Sequence, residues 1–300
     1  MDDDPPRSPQ EGSGMTRNPS TGTQSIVFRD GAFASATRQV PAETAIAISV
    51  DGSTHAVMMA TPSHIRDLGI GLALNERIVT RPDEIERMEI VDSDLGIDCR
   101  LWLSEARAAT YTARRRQMTG PVGCGLCGVE SLELAGRDLP AVDAADVSVA
   151  PAELTDAVAN MARQQELTRL TRAVHAAAFH RPSGNMVVLR EDVGRHNALD
   201  KVAGHLAGAG IDPATGFLTI TSRVSVELIQ KAAVMGCGLI AAISAPTELA
   251  IAEAQAAGIT LVAVVRDEGF EIFTHPARIA GADAASAGRR PRGEVRPRSA

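Results

Sequence analysis

Phe217-Leu218-Thr219-Ile220-Thr221-Ser222-Arg223-Val224-Ser225, followed after one helical stretch by Gly238-Leu239-Ile240-Ala241-Ala242-Ile243-Ser244-Ala245-Pro246-Thr247, decides the fold class of this chain. Each segment begins as a short apolar run without strict alternation, the pattern of a strand buried on both faces. Each then breaks into Ser, Thr, Arg or Pro, residue types that turn the chain and cap a following helix. Met186 to Arg190 and Ile259 to Val265 repeat the pattern on either side. Between the runs apolar residues return at helical spacing, as in Leu154, Val158 and Met161 or Ala198, Val202 and Leu206. Strands alternating with helices predict an α/β domain over residues 151–281, with a mostly parallel sheet layered by helices.

Upstream the pattern is different. Apolar alternation from Ile46 to Val50, an Asp51-Gly52 turn and a second run from His55 to Ala60 predict a β-hairpin. Thr61-Pro62-Ser63 has the chemistry of a helix start, and Ile65, Leu68 and Leu72 follow at helical spacing. Glu84 to Val91 and Ile97 to Leu103 read as two more strands, and Arg107 to Met118 as a helix ending in Arg114-Arg115-Arg116. Residues 25–118 are therefore expected to form a smaller, mixed α+β domain. Residues 119–150 read as a mobile loop and linker, because Gly120, Gly123, Gly125 and Gly128 interrupt regular structure. Residues 1–24, polar and rich in Pro, Gly, Ser and Asp, predict a disordered tail and not a signal peptide. Residues 282–300 predict a second disordered tail, basic through Arg289, Arg290, Arg292, Arg296 and Arg298.

Composition limits the function classes. With 44% hydrophobic residues in a chain of 300, a sizeable core is available and the protein reads as soluble and globular. Only 3% of residues are aromatic, so neither a base-stacking platform nor a membrane aromatic belt has its usual material. The net charge of −7 argues against a general phosphate-backbone binder. No nucleic-acid partner and no membrane association are expected, and no segment approaches a span. Cys99, Cys124, Cys127 and Cys237 are too few and too unevenly spaced for a secreted disulfide scaffold, which places the chain in the cytoplasm with free thiols.

Two groups of residues carry chemistry. Cys124 and Cys127 form a C-x-x-C pair, a pattern used for redox exchange, metal ligation or sulfur handling. A structural zinc site needs four ligands, and neither Cys99 nor Cys237 has a partner cysteine nearby, so no metal is expected. A dithiol redox site sits where a strand end opens a helix, whereas glycines flank this pair on both sides. A sulfur carrier needs a thiolate on a movable loop, and Arg114 to Arg116 are candidates for lowering a thiol pKa of about 8.5. The second group lies in the loops that follow the predicted strands. In a parallel sheet Glu191 to Asn197, Ser222 to Ser225, Ser244 to Thr247 and Arg266 to Gly269 all reach one edge. Arg195, Arg223 and Arg266 beside helix N-termini there suit a phosphate or pyrophosphate. A plainer reading has Ser and Thr capping helices and Asp192 pairing with Arg195. His175, just before Ala176-Ala177-Ala178, reads as a hydrogen-bonded core histidine on an apolar helix.

Gly123-Cys124-Gly125-Leu126-Cys127-Gly128-Val129-Glu130 and the run from Glu191-Asp192-Val193-Gly194-Arg195-His196-Asn197 to Ala198-Leu199-Asp200-Lys201 resemble two hallmark segments of the FdhD family of formate dehydrogenase accessory sulfurtransferases. Ser222-Arg223-Val224-Ser225 with Glu227-Leu228 and Lys231, then Ser244-Ala245-Pro246-Thr247 and Phe273-Thr274-His275-Pro276, extend the resemblance in order from Ala42 to Ile279. It implies an α/β chain with a cytidine deaminase-like C-terminal domain, a smaller N-terminal domain and a homodimer. It also implies binding of the Mo-bis(molybdopterin guanine dinucleotide) cofactor, with Val264, Val265, Arg266, Asp267, Glu268 and Gly269 as a contact strip. Arg195 and His196 join them as cofactor-binding residues. A cysteine desulfurase would load a persulfide onto Cys124, assisted by Cys127, for delivery to the molybdenum centre of formate dehydrogenase. A non-catalytic cofactor-binding chaperone is the alternative. Deaminase chemistry is not expected, since His175 is followed by alanines and Cys124 follows Gly123, so the H-x-E and P-C-x-x-C zinc arrangement is missing. The chain departs from the family at Thr171-Arg172-Ala173-Val174, where glycines are usual. It departs again at Asp267 and Glu268, carboxylates that repel a pyrophosphate unless they face solvent.

Overall fold

The computed structural model describes residues 17–115, 139–144 and 146–283. It opens with a hairpin of β1 (Ser20–Arg29) and β2 (Ala32–Pro41), paired from Ser20↔Pro41 to Arg29↔Ala32. Ser20 to Gln24, expected in a disordered tail, are thus the first half of a strand. The overlooked signal is Asp30-Gly31, which turns with φ of 51° and 78°. At its base Arg17 pairs with Asp92 at 2.6 Å, and midway Arg38 donates to the Thr171 carbonyl at 3.2 Å. Ile26, Phe28 and Phe33 share one face of the hairpin and stay 75%, 60% and 76% exposed.

The next strands are β3 (Thr44–Val50), β4 (Ser53–Ala60), β5 (Ile85–Ser93) and β6 (Gly96–Leu103), with α1 (Ile65–Asn75) and α2 (Glu105–Arg115). They form a four-stranded sheet in the order β4-β3-β6-β5. Strand alternation turns Ile97, Cys99, Leu101 and Leu103 inward, where they join Ile46, Ile48, Val50 and the α1 side chains Leu68 and Leu72 in one core. Thr61 does not cap α1. The residue before that helix is His64, at φ 54°, and Thr61 serves another purpose described below.

The larger unit contains α3 (Pro151–Gln164), α4 (Glu166–Thr171), β7 (His175–His180), β8 (Met186–Asp192) and α5 (Arg195–Gly208). It continues with β9 (Phe217–Ile220), α6 (Val226–Met235), β10 (Leu239–Ala242), α7 (Glu248–Ala257), β11 (Thr260–Arg266) and β12 (Gly269–Thr274). These strands form a six-stranded sheet in the order β12-β11-β10-β9-β7-β8. The sheet is mixed, not mostly parallel. β9, β10 and β11 pair in parallel, while β7 and β12 run against their neighbours because short turns join β7 to β8 and β11 to β12. His175 begins β7, so the predicted helix there is wrong. Three consecutive alanines favour helix in isolation, but burial between β8 and β9 overrides that preference. Gly184, at φ 80°, supplies the turn. The linker expectation also fails for its described part: Val142, Ala144, Val147 and Val149 are buried in the main core, and Val149 donates to the Arg278 carbonyl at 2.9 Å.

The two cores meet where α1 crosses α5 with their backbones in contact. A methyl group on Gly71 would lie 1.8 Å from the Asp200 carbonyl oxygen, and one on Gly204 would lie 1.8 Å from that of Asp67. A buried polar staple sits beside the crossing. The Asp192 carboxylate accepts from Thr61 N–H (3.1 Å), Gly194 N–H (2.8 Å), Asn197 Nδ2 (3.0 Å) and Lys201 Nζ (2.5 Å). Lys201 also donates to the Thr61 carbonyl at 2.9 Å, and both charged side chains are 0% exposed. Next to it Asp200 accepts from Lys231 at 2.8 Å and from Asn75 at 2.6 Å.

Gly204→Ala forces the helices apart and destabilises the chain by at least about 3 kcal/mol, the upper range of overpacking penalties, read from the urea unfolding midpoint; an unchanged midpoint refutes the close crossing. Lys201→Met leaves a buried carboxylate without its counter-charge and lowers stability by about 3–5 kcal/mol. The double variant Asp192→Leu/Lys201→Met recovers part of that loss in the same assay, because no charge is then left unpaired.

Candidate functional site

β8, β9, β10 and β11 all run in the same direction, since β7 opposes both β8 and β9. Their carboxyl ends therefore reach one sheet edge, and the four polar loops named from the sequence lie there together. His175, opposite Asp192 in the β7–β8 register, adds a ring to the same edge.

Several of these residues are scaffolding. Asp192 is saturated by the staple and pairs with Lys201, not with Arg195. Glu191 accepts from Leu167 N–H and Thr168 N–H, each at 2.8 Å, which caps α4. Thr247 caps α7 by accepting from Ala250 N–H at 3.3 Å. Arg266 is exposed, and its guanidinium donates to the carbonyls of Ile243 and Val265. Arg172 ends α4 at φ 57°, the left-handed geometry that glycine adopts most easily.

What remains is a cluster at the N-termini of α5 and α6. Among the described residues Arg195 Nε and His196 Nε2 are shielded from solvent without a hydrogen-bond partner, while the Ser225 hydroxyl and the Glu227 carboxylate beside them pair with each other. Burial, reinforced by Arg195 and Lys231, pushes the His196 pKa below the ordinary histidine value despite the opposing carboxylates of Glu227 and Asp200. His175 is lowered likewise, by burial and then by Arg195. Burial opposes ionisation of Glu227, but the nearby Ser225 hydroxyl, its own helix N–H, His196 and Arg195 outweigh that and hold its carboxyl below the usual range. At neutral pH the cluster thus presents a guanidinium, neutral imidazoles, a hydroxyl and one carboxylate.

The predicted strip Val264 to Gly269 lies at the other end of the same edge. Val264 sits at φ 55°, a left-handed conformation that strains a β-branched residue, at an irregularity in the β11–β12 pairing. The strip borders a cavity of about 380 Å³ lined by Thr155, Val158, Ala159 and Ala162 of α3, with Ile243, Val265, Arg266, Asp267 and Glu268. Asp267 and Glu268 are exposed to solvent. Gly269, which begins β12, completes the strip. Neither the strain at Val264 nor the unpartnered Arg195 Nε has a sequence signature.

Cys124, Cys127 and Arg116 lie outside the described residues, as do the side chains of Arg114 and Arg115. Cys99 and Cys237 are 0% exposed, and burial pushes both thiols up to about 12. Among the described residues no group of three or more His, Cys, Asp and Glu side chains is placed to hold a metal ion, and no helix is long and apolar enough to cross a membrane.

Comparison with known proteins agrees with this architecture. The sequence model of the FdhD/NarQ family matches residues 41–280. The sulfur carrier protein FdhD of Agrobacterium fabrum is 50% identical over 252 residues, 84% of this chain and 93% of the relative. The sulfur carrier protein FdhD of Brucella abortus is 47% identical over 254 residues, 85% of this chain and 94% of the relative. A crystal structure described as that of a formate dehydrogenase accessory protein from Desulfotalea psychrophila superposes with a TM-score of 0.70 at 24% identity, covering 87% of this chain and 100% of its own. That likeness speaks for the fold, while the extent of the sequence matches speaks for descent: the chain belongs to the FdhD/NarQ family.

Proposed function

We propose that this protein is a sulfur carrier that acts as an accessory sulfurtransferase for formate dehydrogenase. It takes sulfur from a cysteine desulfurase as a persulfide on Cys124, and delivers it to the molybdenum centre of Mo-bis(molybdopterin guanine dinucleotide). One observation carries the assignment of the sulfur site. A sulfur acceptor must present an accessible thiolate, and Cys99 and Cys237 are fully buried with thiols pushed up to about 12. Of the four cysteines, only Cys124 and Cys127 then qualify. In the loading step the Cys124 thiolate attacks the terminal sulfur of the desulfurase persulfide. The donor S–S bond breaks, the desulfurase cysteine leaves as thiolate, and Cys124 gains the persulfide. In delivery the Cys127 thiolate attacks the inner sulfur of Cys124. The terminal sulfur leaves as sulfide for the metal, and the resulting disulfide is reset by an external dithiol.

The sheet edge supports the acceptor. From the end of β8 to the end of β11 there are four inter-strand spacings, about 19 Å, a length suited to an extended dinucleotide. Arg195 at the N-terminus of α5 has a buried, unpartnered N–H for a phosphate oxygen, and the strip Val264 to Gly269 holds the far end. Asp267 and Glu268 are exposed, so solvent screening weakens their repulsion of an anionic ligand at the strip. On this reading the six-stranded unit is a cytidine deaminase-like domain used for binding. The uncovered face of Ile26, Phe28 and Phe33 supports a homodimer, because an isolated two-stranded hairpin is marginal in water. A cytoplasmic setting keeps the carrier thiols reduced.

Incubation with a cysteine desulfurase and cysteine adds reductant-labile sulfur to the intact protein, read by mass spectrometry. Cys124→Ala abolishes the gain, while Cys99→Ser/Cys237→Ser retains it. A folded wild-type chain that gains no sulfur overturns the carrier reading in favour of a chaperone. Separately, Phe28→Ser/Phe33→Ser converts the dimer to monomer in sedimentation velocity; an unaltered dimer removes the hairpin from the interface.

A further inference from the structure

The hairpin of β1 and β2 has a free apolar face, and the rest of the described chain offers one surface of matching character. Ties at Arg17 and Arg38 hold the base of the hairpin, while Ile26, Phe28 and Phe33 lie further along it towards the Asp30-Gly31 turn. The Phe28 and Phe33 rings stand 4.9 Å apart, tilted at 47°, and together form one broad knob. Among the described residues the other exposed large apolar side chains are Val57, Met59, Leu95, Leu170 and Leu249. Leu95 lies in a turn, and Leu170 and Leu249 lie on two separate helices. Val57 and Met59, by contrast, are two apart on β4 and so share a face, 55% and 48% exposed and turned away from the buried Ala56 and Ala60. Across the sheet they pair with Ala47 and Ala45, whose small side chains make a shallow floor beside them, and β4 is itself an edge strand.

We propose that the hairpin is an exchanged arm: its Ile26, Phe28 and Phe33 face seats on the outer face of the four-stranded sheet of a second copy, over Val57 and Met59, and the arm of that copy returns the contact. This rests on the homodimer reading and goes beyond it by naming the surface that receives the hairpin. The area supports a second copy as the occupant. From their fractional exposures the five residues present roughly 650 Å² per copy, so the reciprocal contact covers about 1,300 Å² of apolar surface, within the range of a stable interface. Two hairpins packed only on each other cover about 950 Å², below that range, and leave Val57 and Met59 in water. Shape agrees with area, since an aromatic knob needs a hollow, and the alanine floor beside Met59 supplies one where a second knob does not. Reciprocal pairing of the two patches about a two-fold axis closes after two copies, so the assembly stops at a dimer.

The test is oxidative cross-linking of the full chain in a Cys124→Ala/Cys127→Ala background, where the two remaining cysteines are buried. Phe28→Cys and Met59→Cys chains, made separately, mixed and left to exchange subunits, form a disulfide-linked dimer that neither forms alone. In the otherwise unaltered chain Val57→Lys weakens dimerisation at least about tenfold in sedimentation velocity, the scale of a charge placed in an apolar contact. Its thermal unfolding midpoint at low protein concentration stays unchanged, because the side chain is exposed in the single copy. Met59→Lys shows the same weakening and serves if the first variant does not fold. A Phe28→Cys chain that cross-links by itself places hairpin on hairpin and overturns the assignment. A dimer that both lysine variants leave intact overturns it as well. A wild-type chain that is monomeric at every concentration overturns the homodimer reading itself.

Discussion

A carboxylate and an ammonium buried together at a junction between two cores impose the strictest condition on this structure. Asp192 ends β8 and Lys201, nine residues on, lies in α5, and neither touches solvent. Burying such a pair is unfavourable unless every remaining lone pair and proton is matched. Here the matching groups come from three places: Gly194 in the loop, Asn197 in the first turn of α5, and Thr61 from the smaller unit. The larger unit alone therefore cannot satisfy its own ion pair. Docking of the β4–α1 connection completes it, and the Gly71–Gly204 crossing makes the approach close enough. Orientation between the two cores is consequently specified by hydrogen bonds whose loss leaves charge unpaired, not by apolar contact alone.

The same staple partitions the Glu191 to Lys201 segment into two kinds of residue. Glu191, Asp192, Asn197, Asp200 and Lys201 are consumed internally, by α4, by one another, by Thr61 and by Lys231. Arg195 and His196 are left with buried nitrogens that nothing in the described chain satisfies. A rigid, fully paired support beneath a few unpaired groups is the arrangement expected of a preorganised binding surface. Reactivity among the thiols is divided similarly. Cys99 and Cys237 are insulated by burial, which on the proposed reading leaves sulfur chemistry to the C-x-x-C pair.

The hairpin of β1 and β2 contrasts with that economy. Among the described residues it pairs with no other strand, is tied down at Arg17 and Arg38, and leaves three large apolar side chains in water. Exposed apolar surface of that size on a two-stranded ribbon marks an interaction surface more often than a defect.

Much of the fold was legible because burial on both faces leaves a plain trace in sequence. Continuous apolar runs at Phe217, Gly238 and Ile259 located β9, β10 and β11, and alternation located β3 and β6. Local signals misled where tertiary contacts outweighed them. His175 to His180 has helical composition yet lies between two strands, Thr61 has capping chemistry yet bonds to Asp192, and Ser20 to Gln24 has the polarity of a tail yet finds a partner strand. The sequence by itself determined the alternation of elements and the family, and it named the candidates for chemistry. Only the tertiary structure decided which charges are spent in pairs and which remain for a ligand, because pairing depends on groups more than a hundred residues apart being brought within hydrogen-bonding distance in a place that excludes water.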